Sequence, residues 1–97
     1  MDISALFPKI VQRIIREQEL VIGPLAWDEA RKVNGIIVLD QRTGEIDLQN
    51  GDVREIVNNL VAQYEKIFGR ASHEVCKSAV QDLIAELPAE EIPLSLK

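Results

Sequence analysis

Cysteine, histidine and aromatic residues are scarce in this chain, which holds one Cys, one His, one Trp, one Tyr and two Phe. A single cysteine excludes an internal disulfide and fits a reducing compartment. One histidine and one cysteine are too few for a zinc or haem site built by one chain, so no metal or cofactor is expected. So few rings leave little for stacking on single-stranded nucleic acid. Positive charge is short as well: 11 Lys and Arg against 16 Asp and Glu give a net charge of -5, the wrong sign for a phosphate backbone. No apolar run approaches the ~20 residues of a membrane span. The uncharged stretch Leu20 to Trp27 is broken by Gly23-Pro24. Met1-Asp2-Ile3 lacks the basic start of a secretory signal, and no glycine-rich phosphate loop or nucleotide fingerprint is present. The expectation is a soluble cytoplasmic protein without a nucleic-acid or membrane partner.

What the chain has is the composition of a folded domain. Its 97 residues are 46% hydrophobic and 28% charged, ordinary for a globular protein and unlike a disordered one. The second half also resembles the first. An offset of 46 residues puts Ile10-Val11 on Ile56-Val57, Glu19 on Glu65 and Gly23 on Gly69. The same offset puts Ile14 on Leu60, Ile15 on Val61, Val21 on Ile67, Ile22 on Phe68, Ala30 on Cys76 and Arg31 on Lys77. One reading is an internal duplication folded around a pseudo-two-fold axis. The other is that two amphipathic helices ending at glycine align their apolar positions automatically.

Helical spacing predicts a first helix from about Ser4 to Val21, with Leu6, Phe7, Ile10, Val11, Ile14 and Ile15 buried. Pro8 is tolerated because it falls in the first turn. A short second helix from Pro24 to Val33 presents Ala26, Trp27, Ala30 and Val33 inward and ends at Asn34-Gly35. The period then changes. Ile36 to Leu39 is a continuous apolar run, Asp40 to Glu45 a turn containing Gly44, and Ile46 to Gln49 alternates, which together read as a β-hairpin. Asn50-Gly51 ends it. Asp52 caps a third helix with Glu55 three residues on, and Val53, Ile56, Val57, Leu60, Val61, Tyr64, Ile67 and Phe68 follow at helical spacing. Gly69 stops that helix. Ser72 is read as the cap of a fourth, with Cys76, Ala79, Val80, Leu83, Ile84 and Leu87 inward, and Pro88 ends it. The segment 89–97 alternates Ile92, Leu94 and Leu96 with a proline and polar residues and suits an edge strand or docking on a neighbour. The expected fold is α+β in the order αα-ββ-αα, one domain over 1–88 with a C-terminal extension over 89–97.

Candidate chemistry is thin. Gly44-Glu45-Ile46-Asp47 fits part of a calcium loop, but the register places Leu39 at the first ligand position and Asn50 at the bidentate glutamate. His73 and Cys76 are three residues apart on a helix, but Cys76 lies on the apolar stripe, where burial makes a thiol inert. Ser72 beside His73 reads as a cap before it reads as a hydrolase pair. No acid, base and nucleophile converge, so no catalytic residue is assigned and a non-enzymatic protein is expected.

The function expected is a protein-interaction or regulatory module acting as a homodimer with a further protein partner. Ile36 to Leu39 is apolar on both faces, which marks a strand covered on both sides, and a lone hairpin is marginal without more cover. The candidate interface is therefore Ile36, Val38, Leu39, Ile46 and Leu48, with Trp27 as either core anchor or hot spot. Lys9, Arg13 and Arg16 share one helix face and suit an acidic partner. Asn58, Asn59 and Gln63 make an uncharged polar strip that calls for hydration or a polar seam. The alternative function is a small-ligand sensor with an apolar pocket near Trp27 and Tyr64.

Overall fold

The computed structural model describes residues 5–49 and 51–97, and over them the chain is an α+β protein of five helices and one two-stranded antiparallel sheet. The start placed at Ser4 and the Asn50 of the Asn50-Gly51 turn lie outside the described residues. Helix α1 spans Leu6–Ile22 and buries Leu6, Phe7, Ile10, Val11, Ile14, Ile15 and Gln18. Its three- and four-residue spacing puts these side chains on one stripe. Helix α2, Leu25–Ala30, turns Ala26, Trp27, Glu29 and Ala30 inward. Strands β1, Ile36–Asp40, and β2, Glu45–Leu48, follow. Helix α3 runs Val53–Phe68 and buries Ile56, Val57, Leu60, Val61 and Tyr64. Helices α4, Arg70–Ala79, and α5, Gln81–Ile84, complete the order.

The core lies between α1 and α3. Their paired stripes close over Trp27, Ala30, Cys76, Val80 and Leu83. Both long helices end alike: Gly23 N–H donates to Glu19 O and Gly69 N–H to Glu65 O, each at 2.8 Å. Side chains cross between the halves in a reciprocal way. Gln18 Nε2 donates to the Ser72 carbonyl at 3.0 Å, and Tyr64 Oη donates to the Ala26 carbonyl at 2.6 Å.

The hairpin pairs Ile36 with Leu48, Ile37 with Asp47 and Val38 with Ile46, and the register shifts before Asp40 meets Glu45. Its turn is pinned to α1, because Gln12 Nε2 donates to Gly44 O at 2.7 Å. Gly44 has φ of 79°, and a Cβ there would come within 2.8 Å of the Arg16 guanidinium. A residue with a side chain would be strained there, and the ends of Arg16 and Gln12 would have to shift.

Three expectations change. Ser72 is not a cap, since α4 starts directly after Gly69 and Ser72 sits buried inside it. Gly69 both ends α3 and caps α4, so no linker remains for Ser72 to occupy. The fourth helix is broken at Val80 (φ -123°, ψ 13°). Arg13 Nη1 takes up the Ala79 carbonyl at 3.2 Å and so offers this helix end a partner. The C-terminal segment forms no edge strand. It makes two single 3-10 turns, Ala89–Glu91 and Leu94–Leu96, and Leu96 is buried against the core. Asp52 does cap α3, accepting from Arg54 N–H at 2.9 Å, while the return bond from Glu55 is not made among the described residues.

Candidate functional site

The reactive side chains of α4 sit on its inner faces. Cys76 is fully buried and receives Gln18 Nε2 at 3.3 Å. Burial pushes its thiol up to about 11, so it carries no nucleophilic thiolate at neutral pH. Tyr64 is likewise fully buried, and loss of water raises its hydroxyl above the usual phenol range. Ser72 gives its carbonyl to Gln18. Gln18 Oε1 is buried without a hydrogen-bond partner among the described residues.

His73 reaches partners that no local pattern announces. Its Nδ1 lies 2.7 Å from Glu65 Oε2 on α3, and its Nε2 lies 2.6 Å from the Ser95 carbonyl in the last turn. Asn58 Oδ1 accepts from both Ser95 N–H and Ser95 Oγ–H, at 3.0 and 2.7 Å. Asn58 thus finds its partner in the C-terminal segment. Gln63 finds another, donating to the buried Glu29 at 2.7 Å, and Lys32 donates to the same carboxylate at 2.9 Å. The Gln63 and Lys32 bonds hold Glu29 below the usual carboxylate range.

Among the described residues no three His, Cys, Asp or Glu side chains gather as a metal site. The carboxylates of the hairpin serve the backbone instead. Asp40 Oδ1 accepts from Arg42 N–H, and Asp47 Oδ1 from Leu48 N–H, each at 2.9 Å.

The candidate interface residues separate into two faces. Ile36 is buried and Val38, Ile46 and Leu48 are half-buried on the side facing the core. Leu39 is 58% exposed and Ile37 38% exposed on the outer face. The cover expected on both faces of β1 is therefore present on one face within the chain. Trp27 is 0% exposed, and its Nε1 donates to Glu19 Oε2 at 2.8 Å. It is buried as a core anchor. Of the basic stripe, Lys9 is exposed. Arg13 is engaged with Ala79 O and with Asp82 at 3.1 Å, and Arg16 with Arg42 O at 3.4 Å. Those bonds give Arg13 and Arg16 a role inside the fold.

Surface grooves repeat with opposite charge. One of about 550 Å³ between α1 and α4 is lined by Arg13, Glu17, Glu74 and Asp82 with Val21 and Val75. Another, of about 340 Å³, carries Lys32, Lys66, Asn59 and Gln63. Neither Trp27 nor Tyr64 lines these or the two smaller grooves by α3, so the pocket expected beside those rings is not among them. A further apolar cluster, Leu20, Val21 and Leu25, is exposed at the α1–α2 corner. Among the described residues no helix is long and apolar enough to cross a membrane.

Comparison with known proteins finds no family model, no curated protein and no solved structure that matches this chain.

Proposed function

We propose that this chain is a non-enzymatic protein-interaction module that works as a homodimer through its β-hairpin. The observation that carries the proposal is the state of β1 and β2. They form a two-stranded sheet with Ile37 and Leu39 facing outward. Such a hairpin leaves two edges that ladder bonds can extend, and a two-stranded sheet is marginal alone. The occupant is a second copy. Antiparallel pairing of two β1 strands about Val38 sets Ile37 of each copy opposite Leu39 of the other, so the four outward apolar side chains form one self-complementary patch. A non-enzymatic reading is supported by what occupies the reactive groups: Cys76 is a buried protonated thiol, and both His73 nitrogens are engaged. Amide exchange tests the proposal. The β1 N–H groups not bonded to β2 gain protection as protein concentration rises. Protection that is the same across concentrations rejects it.

The finer organisation is also proposed: α4 and α5 are one broken helix, the order is αα-ββ-αα, and the halves descend from a duplication. Support comes from pairs at the 46-residue offset. Gln18 corresponds to Tyr64 and Ala26 to Ser72, which relates the two crossing hydrogen bonds to each other. Trp27 corresponds to His73, and each ring nitrogen meets the glutamate eight residues earlier, Glu19 or Glu65. Gln12 corresponds to Asn58, and each holds the C-terminal segment of its own half. Two helices that merely share a period align apolar stripes. They do not align reciprocal polar bonds.

A further inference from the structure

We propose that His73 is a proton-operated latch for the C-terminal segment, closed when the imidazole carries two protons and open when it carries one. Both ring nitrogens face acceptors, the Glu65 carboxylate at 2.7 Å and the Ser95 carbonyl at 2.6 Å. A carboxylate and a backbone carbonyl have no proton to give. Only the imidazolium donates to both. The neutral ring has one N–H, so whichever tautomer forms, one lone pair points at an oxygen and one of the two hydrogen bonds breaks. If Nδ1 keeps its proton for Glu65, the bond to Ser95 is the one that breaks.

That bond sits at the hinge of a small assembly. Ser95 is held from the other side by Asn58, and Arg54 Nη1 donates to Glu90 O at 2.9 Å. Pro93 and Leu96 are buried under these bonds against α3 and α4. Glu65 reaches the ring from α3, and along the chain the nearest charges are Glu74, the next residue, Arg70 and Lys77, one turn to either side on α4, and Lys97, two residues beyond Ser95. Glu65 is the one at hydrogen-bond distance. Because docking takes up a proton, falling pH closes the latch and rising pH opens it. Opening exposes Pro93 and Leu96 and the apolar strip of α3 and α4 that they cover.

Exchange at the Ser95 amide reads the latch directly, since Asn58 Oδ1 holds that N–H. Corrected for intrinsic exchange, its protection falls roughly tenfold or more between about pH 5.5 and about pH 8.5, the effect of losing one charge-assisted bond. The α1 amides keep their protection at both values. In Glu65→Gln the side-chain amide donates to a bare Nδ1 while Nε2–H donates to Ser95, so Ser95 protection becomes independent of pH. Equal protection at both pH values in the unsubstituted chain, a parallel loss in α1, or a Glu65→Gln protein as pH-dependent as the original would each overturn the latch.

Discussion

The two halves of this molecule make several bonds of the same kind and finish differently. In both, a long helix ends at a glycine bonded to a glutamate carbonyl, and a second helix places a ring beside that glutamate's side chain. The first half then extends into a hairpin whose outer face leaves Ile37 and Leu39 in water. The second folds its last nine residues, 89–97, onto its own α3 and α4 and buries Leu96. One half is closed by its own chain and the other is left open. The contrast locates the binding surface on the proposed reading, because apolar side chains on the exposed face of a small sheet are where a partner gains most.

The matched positions give ways to break the comparison. Trp27 and His73 each place a ring nitrogen beside the glutamate eight residues earlier, but the indole is fully buried and the imidazole only partly. Trp27→Ala removes the largest core side chain and costs about 3–5 kcal/mol, a large share of the roughly 5–15 kcal/mol that holds a domain folded. Urea unfolding followed by circular dichroism reads it. A cost below about 1 kcal/mol would mean that the ring is not the anchor its burial implies.

The two crossing bonds should prove unequal. Tyr64→Phe loses a buried hydroxyl bond to Ala26 O and costs about 0.5–1.5 kcal/mol. Gln18→Met, by contrast, should be close to neutral. It gives up the bond to Ser72 O but also removes a buried oxygen that has no partner. Equal losses at both sites would show the two seams to be energetically alike.

How legible this was depended on how far apart in the chain the partners lie. The α3 helix could be read because its signals are local: Asp52 as cap, an unbroken apolar stripe and Gly69 as stop. Trp27 and the hairpin strands could be placed for the same reason. Ser72 was misplaced because a polar residue after a glycine looks like a cap, whereas Gly69 serves both helices and leaves no gap. The break at Val80 involves Arg13, 66 residues from Ala79, and has no local trace. The tail reads as a strand by alternation, but Leu96 is set by a core assembled elsewhere in the chain. The partners of His73 were missed as well, although the shared eight-residue spacing of Glu19 to Trp27 and Glu65 to His73 was a usable signal.

Smaller effects sharpen the contrast further. Cys76 should react with a thiol reagent only at the rate of unfolding, since burial keeps the thiol protonated. Labelling as fast as that of a free thiol would place it at the surface. At the helix starts, α3 has a side-chain cap and α1, beginning after Ala5, has none. The Arg54 side chain and backbone hold the Asp52 carboxyl below its usual range. Its contribution is therefore present above the ordinary carboxylate range of about 4 and is lost as pH falls through the depressed value. Thermal midpoints of Asp52→Ala and the unsubstituted protein should differ at neutral pH and converge in acid. A gap that widens in acid would reverse that sign.

The most direct test of the open half is its assembly state, measured by sedimentation equilibrium at tens of micromolar. The account predicts a dimer of the 10.9 kDa chain. Leu39→Asp should convert it to a folded monomer, while Leu20→Asp, at the exposed α1–α2 corner, should leave the dimer intact. A monomer in the unsubstituted protein, or a dimer that survives Leu39→Asp and is lost on Leu20→Asp, would contradict the assignment of the hairpin as the binding surface.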